Sequence, residues 1–328
     1  MTNNMTDGFE NFKKFINQQV DFVISTHESP DADGFGSAIA LAHLLEKLEK
    51  KVLIIIPSEL HFSLRFLDPD NKAKILDETS LPENFCQIIV DTTKFKNISE
   101  DLAILEKKAK SVFVIDHHEN YDNIADNNYI DSGASSACEM VYRIFSYFNV
   151  KPDFISAQAI YTGILTDTGC FKYPKTTSTT YRIAADCIDM GVNPLYCYEQ
   201  SYENLPIPII HLRSKVLFNT EFFANGKIAG MKLSKKMLSS YEGVTTSDIT
   251  PVINEAVSIK GVKAAFIVKE DFNKTVKVSI RSKDNFDVSQ IAFNFGGGGH
   301  KNASGFKSDK SLQETYDLLA NTIIRVIG

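Results

Sequence analysis

Short, nearly continuous apolar runs mark the first half of the chain, and three of the four end in polar residues that could do chemistry. Val20 to Ser25 leads through Thr26 to His27, Cys86 to Val90 ends in Asp91, and Ser111 to Ile115 ends in Asp116-His117-His118; Lys51 to Ile56 stops at Pro57. Separated by stretches of helical spacing, such runs predict a mostly parallel sheet covered by helices on both faces. The helical stretches are residues 9–19, with Phe9, Phe12, Phe15 and Ile16 on one side, then 38–50 and 132–148. Ser136-Ala137-Cys138-Glu139 has capping-box spacing, so Glu139 reads as a helix-start residue rather than a catalytic one. Ala157 to Leu165 is a buried helix ending in Thr166-Asp167-Thr168-Gly169, and Thr177 to Met190 is a helix closed by Gly191.

From Asn193 to Leu212 the pattern changes to scattered aromatics with Pro194, Pro206 and Pro208, which reads as a linker. The expected division is a first domain over 1–192, a linker over 193–215 and a second domain over 216–328. In the second domain Lys227 to Leu233 and Lys263 to Lys269 read as strands, and Thr275 to Arg281 alternates as a half-exposed strand does. Ser247 to Pro251 introduces a helix reaching Ser258, and Asp287 to Phe295 is a short helix. The fold class is therefore α/β: a mostly parallel sheet flanked by helices, followed by a smaller α/β domain. Gly296 to Gly299, followed by His300 and Lys301, is costly to order, so the reading prefers a backbone nest for an anion over a structural turn.

A length of 328 residues supports two domains. No apolar run approaches the roughly 20 residues that cross a bilayer. The first residues lack a basic and then apolar leader, which predicts a cytoplasmic protein. The five cysteines, without C-x-x-C spacing, read as reduced thiols. Lys plus Arg 35 against Asp plus Glu 41, a net charge of −6, argues against a grip on long nucleic acid but leaves room for a mononucleotide or short oligonucleotide.

The chemistry concentrates at His27 to Ser37, where carboxylates stand four and six residues after an imidazole, between a strand and a helix. Hard oxygen donors beside one imidazole suit manganese or magnesium better than zinc. Asp, Gly and Ser are also ordinary loop and cap residues, so this stretch alone leaves both readings open. Gly34 and Gly36 either admit a phosphate to backbone N–H groups or permit a tight turn. Open α/β sheets bind ligands beyond the carboxyl ends of their strands, so His27, Asp91 and Asp116-His117-His118 are expected at one edge. Asp167 is either a helix C-terminal residue or one more carboxylate at that edge.

His27-x-x-x-Asp31-x-Asp33, Asp91, Asp116-His117-His118 and Asp167 resemble, in order, the four motifs of the DHH phosphoesterases, and Gly296 to Phe306 resembles the GGGGH signature of the DHHA1 domain. The size and domain pair are similar to the nanoRNase and pAp-phosphatase branch. That resemblance implies hydrolysis of very short oligonucleotides (nanoRNA) to mononucleotides and of adenosine 3′,5′-bisphosphate (pAp) to AMP. Ala32 stands where related proteins commonly have glycine, at a position that is not a ligand.

The resemblance further implies two manganese ions, with magnesium as the substitute. His27, Asp31 and Asp91 would hold one ion, and Asp33, Asp91, His117 and Asp167 the other, with Asp91 bridging. Two imidazoles and four carboxylates carry a charge of about −4, which two divalent cations balance. His118 is the candidate for stabilising the transition state or protonating the leaving oxygen, in contact with substrate. Asp116 either orients an imidazole or makes a structural hydrogen bond. Arg281 and His300 would grip a second phosphate while Gly297, Gly298 and Gly299 let backbone come close. Expected partners are short RNA or DNA or nucleoside bisphosphates, without a membrane or long nucleic acid, and a homodimer is left open. The rivals are a phosphodiesterase of cyclic or linear dinucleotides (c-di-AMP, pApA), a longer-strand exonuclease, and a metal-free nucleotide-binding regulator; keeping all six ligand types together counts against the last.

Overall fold

Each apolar run of the first half becomes a strand of one parallel sheet. The computed structural model describes residues 2–18, 21–77, 80–93, 103–118, 127–272 and 275–327. It divides into two units, Met1–Asn204 and Leu205–Gly328. In the first unit the strands are β1 (Asp21–Ser25), β2 (Lys51–Ile56), β3 (Ala73–Ile75), β4 (Cys86–Val90), β5 (Val112–Asp116) and β6 (Asn127–Ile130), in the order β3-β2-β1-β4-β5-β6. Every pairing is parallel. The helices are α1 (Thr2–Asn17), α2 (Ala32–Lys47), α3 (Ala103–Lys108), α4 (Ala137–Tyr147), α5 (Phe154–Asp167), α6 (Ser178–Asp189) and α7 (Pro194–Tyr202).

Successive strand residues bury on opposite faces, which is why the runs are apolar throughout rather than alternating. Phe22, Ile24, Ile88, Val90, Phe113 and Ile115 join the core built with α1, α2, α4 and α5. Val23, Ile55, Ile89 and Val114 face the other way, against Phe85 and Leu105. From β1 the chain runs to β2 and β3, then returns to β4 on the other side and continues to β5 and β6. The crevice beyond the carboxyl ends of β1 and β4 is therefore the topological switch point, where open α/β sheets hold ligands.

Two helix starts differ from the pattern-based expectation. α2 begins at Ala32 rather than 38 because Asp31 Oδ1 accepts the N–H groups of Asp33 and Gly34, both at 3.0 Å. α4 begins after Ser136, whose Oγ accepts the Glu139 N–H at 3.0 Å. The reciprocal half of that capping box is replaced, because the buried Glu139 carboxylate accepts from the Ser135 and Thr180 hydroxyls and pairs with Arg143. Gly36 serves helix packing rather than a phosphate: a Cβ there would lie 2.7 Å from the Ala159 carbonyl oxygen on α5.

Residues 193–215, read from sequence as a linker, form α7 and most of α8 (Ile207–Phe218). Pro194 and Pro208 lie in the first turns of these helices, where a missing N–H leaves no bond unmade. Cys197 is buried in the first unit's core and Tyr196 packs edge-on against Phe66, while Ile209, Leu212 and Val216 enter the second unit's core.

The second unit carries β7 (Glu221–Phe223), β8 (Ile228–Leu233), β9 (Ala264–Glu270), β10 (Val276–Ser282), β11 (Gly298–His300) and β12 (Ala303–Ser308), in the order β11-β12-β10-β9-β8-β7. Only β8 and β9 pair in parallel among these. Its helices after α8 are α9 (Lys235–Leu238), α10 (Thr246–Ile249), α11 (Val252–Ser258), α12 (Ser289–Asn294) and α13 (Leu312–Ile327). Val276, Val278, Ile280 and Phe306 pack with α12 and α13 on one face. On the other face Ala229, Met231, Leu233, Ala265 and Ile267 pack with α8, α10 and α11. The glycine run has a structural use after all, as the start of the β11–β12 hairpin. A Cβ on Gly297 would lie 2.2 Å from the Gly305 carbonyl oxygen, and one on Gly299, at φ +134°, 2.5 Å from that of Ala303. Among the described residues, no helix is long and apolar enough to cross a membrane.

Candidate metal centre

Four segments converge on the switch point. His27 follows β1, Asp91 follows β4, Asp116-His117-His118 closes β5, and Asp31 and Asp33 lie at the start of α2. Asp167, the last residue of α5, completes the set. Asp91 holds a left-handed φ of +59°, unusual for a residue with a side chain, and its N–H is tied to the Ile115 carbonyl at 2.9 Å.

The distances place His27, Asp31, Asp33, Asp91, His117 and Asp167 in two groups, and Asp91, Asp116, His117 and His118 form a further set. His27 Nε2 lies 3.6 Å from Asp91 Oδ2 and 3.9 Å from Asp31 Oδ1. His117 Nε2 lies 3.3 Å from Asp91 Oδ1, 3.5 Å from Asp167 Oδ2 and 3.7 Å from Asp33 Oδ2. The two oxygens of Asp91 thus address different imidazoles. Within His27-Asp31-Asp91, and within Asp33-His117-Asp167, one ligand atom per residue lies within 4.8 Å of every other. Asp91 Oδ1 is buried with no hydrogen-bond donor among the described residues.

Electrostatics explains how such a cluster survives. Burial, reinforced by Asp91 and Asp167, raises the Asp33 pKa well above the usual carboxylate range. Burial likewise lifts Asp167 to about 6, against the attraction of His117. Burial also works against ionising Asp91, but the imidazoles of His117 and His27 beside it outweigh that and hold this carboxyl far below the usual range. Burial disfavours the charged imidazoles, yet the surrounding carboxylates raise both His27 and His117 to about 10. Protons therefore serve as countercharge in the protein alone. Buried hard-oxygen and imidazole donors, including a carboxylate oxygen with no donor, fit divalent manganese or magnesium in their place.

Asp116 gathers the turn beyond β5. Its Oδ1 lies 2.6 Å from His118 Nδ1 and accepts the backbone N–H groups of His117 at 2.8 Å and His118 at 3.3 Å. It thus makes an imidazole contact and structural backbone bonds at once, and the imidazole is His118. Burial opposes protonation of His118, but the bond to Asp116 and its charge outweigh that and raise the pKa.

Two contributors were not legible as site residues, the start of α4 and Lys175, and Gly34 was read for a phosphate rather than for room beside the ligands. The N–H groups of Ala137 and Cys138, in the first turn of α4, donate to Asp33 Oδ2 and Oδ1 at 2.7 and 2.9 Å. Gly34 leaves room for the centre, since a Cβ there would lie 2.6 Å from Thr26 Oγ1, 3.0 Å from His27 Nε2 and 3.2 Å from Asp91 Oδ2. Lys175 Nζ donates to the His117 carbonyl at 3.4 Å. The capping pattern at Ser136 was the available signal for the first; nothing in the chain's periodicity points to Lys175.

The remaining expected residues lie in the second unit. Arg281, on β10, donates from Nη1 to the Ile280 carbonyl at 3.1 Å. Arg281 and His300 both pair in register with Ala303, so their backbones share one row across three strands. The His300 side chain lies outside the described part of the structure. Gly297 precedes β11, and Gly298 and Gly299 begin it.

A parallel sheet with a buried carboxylate–imidazole centre at its switch point, followed by a mixed-sheet unit, defines an α/β protein built around a candidate two-ion site. The chain belongs to the DHH family: residues 21–164 match the DHH family N-terminal domain and residues 233–328 match the DHHA1 domain. It is 31% identical to an uncharacterized protein of Mycoplasma genitalium, MG371, over 93% of this chain and 91% of that one. It is 28% identical to the bifunctional oligoribonuclease and PAP phosphatase NrnA of Bacillus subtilis, over 91% of this chain and 92% of that one. Its fold matches the crystal structure of an exopolyphosphatase-related protein from Bacteroides fragilis with a TM-score of 0.84 and 25% identity, covering 98% and 97% of the two chains.

Proposed function

We propose that this protein is a metal-dependent phosphoesterase that hydrolyses very short oligonucleotides to mononucleotides and removes the 3′-phosphate of adenosine 3′,5′-bisphosphate. The activity follows that named for the Bacillus subtilis relative, which this chain covers almost end to end. The observation that carries the reading is Asp91, with one oxygen toward His27 and the other toward His117. In this reading His27, Asp31 and Asp91 hold one divalent ion, and Asp33, Asp91, His117 and Asp167 hold a second. Two manganese or magnesium ions there supply a water of lowered pKa and positive charge for the phosphoryl oxygens.

The chain's own groups do the rest. N–H groups of α4 fix the Asp33 carboxylate in place. Asp116 accepts from His118 Nδ1, so a protonated His118 keeps Nε2–H for the departing ribose oxygen. Arg281, the Gly297–Gly299 backbone and His300 bind a further substrate phosphate. Incubation of a labelled dinucleotide and of adenosine 3′,5′-bisphosphate, with and without manganese, tests the proposal: manganese-dependent turnover is expected, and no turnover of either sinks it.

A further inference from the structure

Buried polar atoms without a hydrogen-bond partner gather at the carboxyl ends of three adjacent strands. Among the described residues they include Thr26 Oγ1 after β1, Asp91 Oδ1 and Thr93 Oγ1 after β4, and Asp116 Oδ2 at the end of β5. Such orphans are rare in folded proteins, and each calls for an explanation. For Asp91 the two ions of the proposed centre supply one. Thr26 is different, because a neutral hydroxyl ranks below carboxylate and water as a donor to manganese or magnesium.

Gly34 shows where this hydroxyl points. The position that a Cβ on Gly34 would take lies 2.6 Å from Thr26 Oγ1, 3.0 Å from His27 Nε2 and 3.2 Å from Asp91 Oδ2. Thr26 Oγ1 therefore faces the same small space as two ligand atoms, and the bare Cα of Gly34 leaves that space open. His27 Nε2 and Asp91 Oδ2 belong to the group that Asp31 completes. Thr26 is 1% exposed, so a partner for its hydroxyl must be as small as one oxygen and must come from within the centre. Ser25, its neighbour in the chain, shows the ordinary fate of a buried hydroxyl: its Oγ accepts from the Gln87 side-chain amide at 2.8 Å. A purely structural hydroxyl at Thr26 would be expected to make such a bond inside the protein.

We propose that Thr26 is a positioning residue of the metal centre, its Oγ–H donating to one water carried by the divalent ion that His27, Asp31 and Asp91 hold. This role rests on the phosphoesterase reading and deepens it, naming a group that acts on the ion's water and not on the ion. Three protein donors leave an octahedral manganese or magnesium with open positions, which water fills. A buried water needs two to four polar partners, and Thr26 Oγ1, the ion and Asp91 Oδ2 supply them at this spot. Partners beyond the ligands fix the orientation of what the metal binds and tune its affinity. The hydroxyl is also a link between metal and stability: unbonded it opposes folding, and bonded it does not.

Thr26→Val keeps the branched shape and removes only the hydroxyl, so two measurements on the full chain test the proposal. Without metal, Thr26→Val should melt no lower than the unaltered protein, because no bond is lost. In a calorimetric titration with manganese, one of the two ions should bind about 10–100-fold more weakly, the range for loss of a partner beyond the ligands, while the other is unchanged. Thr26→Ser should restore the affinity. If Thr26→Val fails to fold, Thr26→Ala takes its place in the titration, read against Thr26→Ser. Unchanged affinity in the variant without the hydroxyl overturns the proposal. So does Thr26→Ser that binds as weakly as Thr26→Val, since the methyl group and not the hydroxyl would then matter. A metal-free Thr26→Val that melts clearly lower overturns it as well, since the hydroxyl would then be bonded within the protein. An unaltered protein that binds no manganese removes the metal centre and the role of Thr26 together. Manganese binding with the expected Thr26 pattern, but no turnover of a dinucleotide or of adenosine 3′,5′-bisphosphate, keeps that role and loses the phosphoesterase reading, so the two failures differ.

Discussion

The switch point of the first unit and the β9–β10–β12 face of the second gather opposite charges. At the first, Asp31, Asp33, Asp91 and Asp167 crowd around His27 and His117; on the second, Lys269, Lys277 and Lys307 stand in register. Each brings like charges together, and burial makes that most unfavourable at Asp33, Asp91 and Lys269. The protein alone answers in opposite ways: the acidic centre gathers protons, and Lys269 tends to give one up. A divalent cation would satisfy the acidic centre better than protons do. The regularity of the scaffolds differs too. The acidic centre collects residues from strand ends, a helix start and a helix end, whereas the lysine row needs only the register of three strands.

If the acidic centre carries the chemistry, substitutions there must act on turnover and metal binding, whereas those at Lys269 act on stability. Asp91→Ala, which removes the one carboxylate shared by both groups, should reduce turnover of every substrate to background. Asp116→Asn or His118→Gln should lower kcat by roughly 10²–10⁴-fold with little change in KM, since the second removes the proton donor and the first the carboxylate that positions it. Gly34→Ala should weaken manganese binding by about 10–100-fold, the range for disturbing the surroundings of metal ligands, as its Cβ pushes on Thr26 and His27. Calorimetry would measure it directly, and unchanged affinity would mean that the close approach at Gly34 is incidental.

Lys269 sharpens the contrast through stability. Its pKa is about 7 in the folded protein and ~10.4 in an unfolded chain, so between these values the unfolded chain holds more protons. The contribution of this lysine to stability is therefore least favourable below pH 7 and improves as pH rises toward 10. Denaturant midpoints of the unaltered protein should show that rise, and those of Lys269→Met should not.

Much of the first unit was legible because its strands are buried on both faces and read as continuous apolar runs. Their polar ends then pointed to the switch point, and His27, Asp91, His117 and Asp167 do lie together there. What escaped was set by cap chemistry and by distant pairing. Asp31 starts α2 several residues early, and prolines that suggested a linker sit in the first turns of α7 and α8. Four glycines in a row suggested an anion nest, and the pattern did not show that Gly297 and Gly299 also let strands approach. Asp33 is held by N–H groups more than a hundred positions away, and the lysine row joins residues from three separate strands. Neither has a local sequence pattern.

In the proposed reading, Asp91 organises a pair of ions. Titration of the metal-free protein with manganese, followed by calorimetry and electron paramagnetic resonance, tests it most directly. Two ions per chain are expected, with a spectrum of two interacting manganese centres and loss of that interaction in Asp91→Ala. A single ion per chain, or two that do not interact and persist without Asp91, would contradict it.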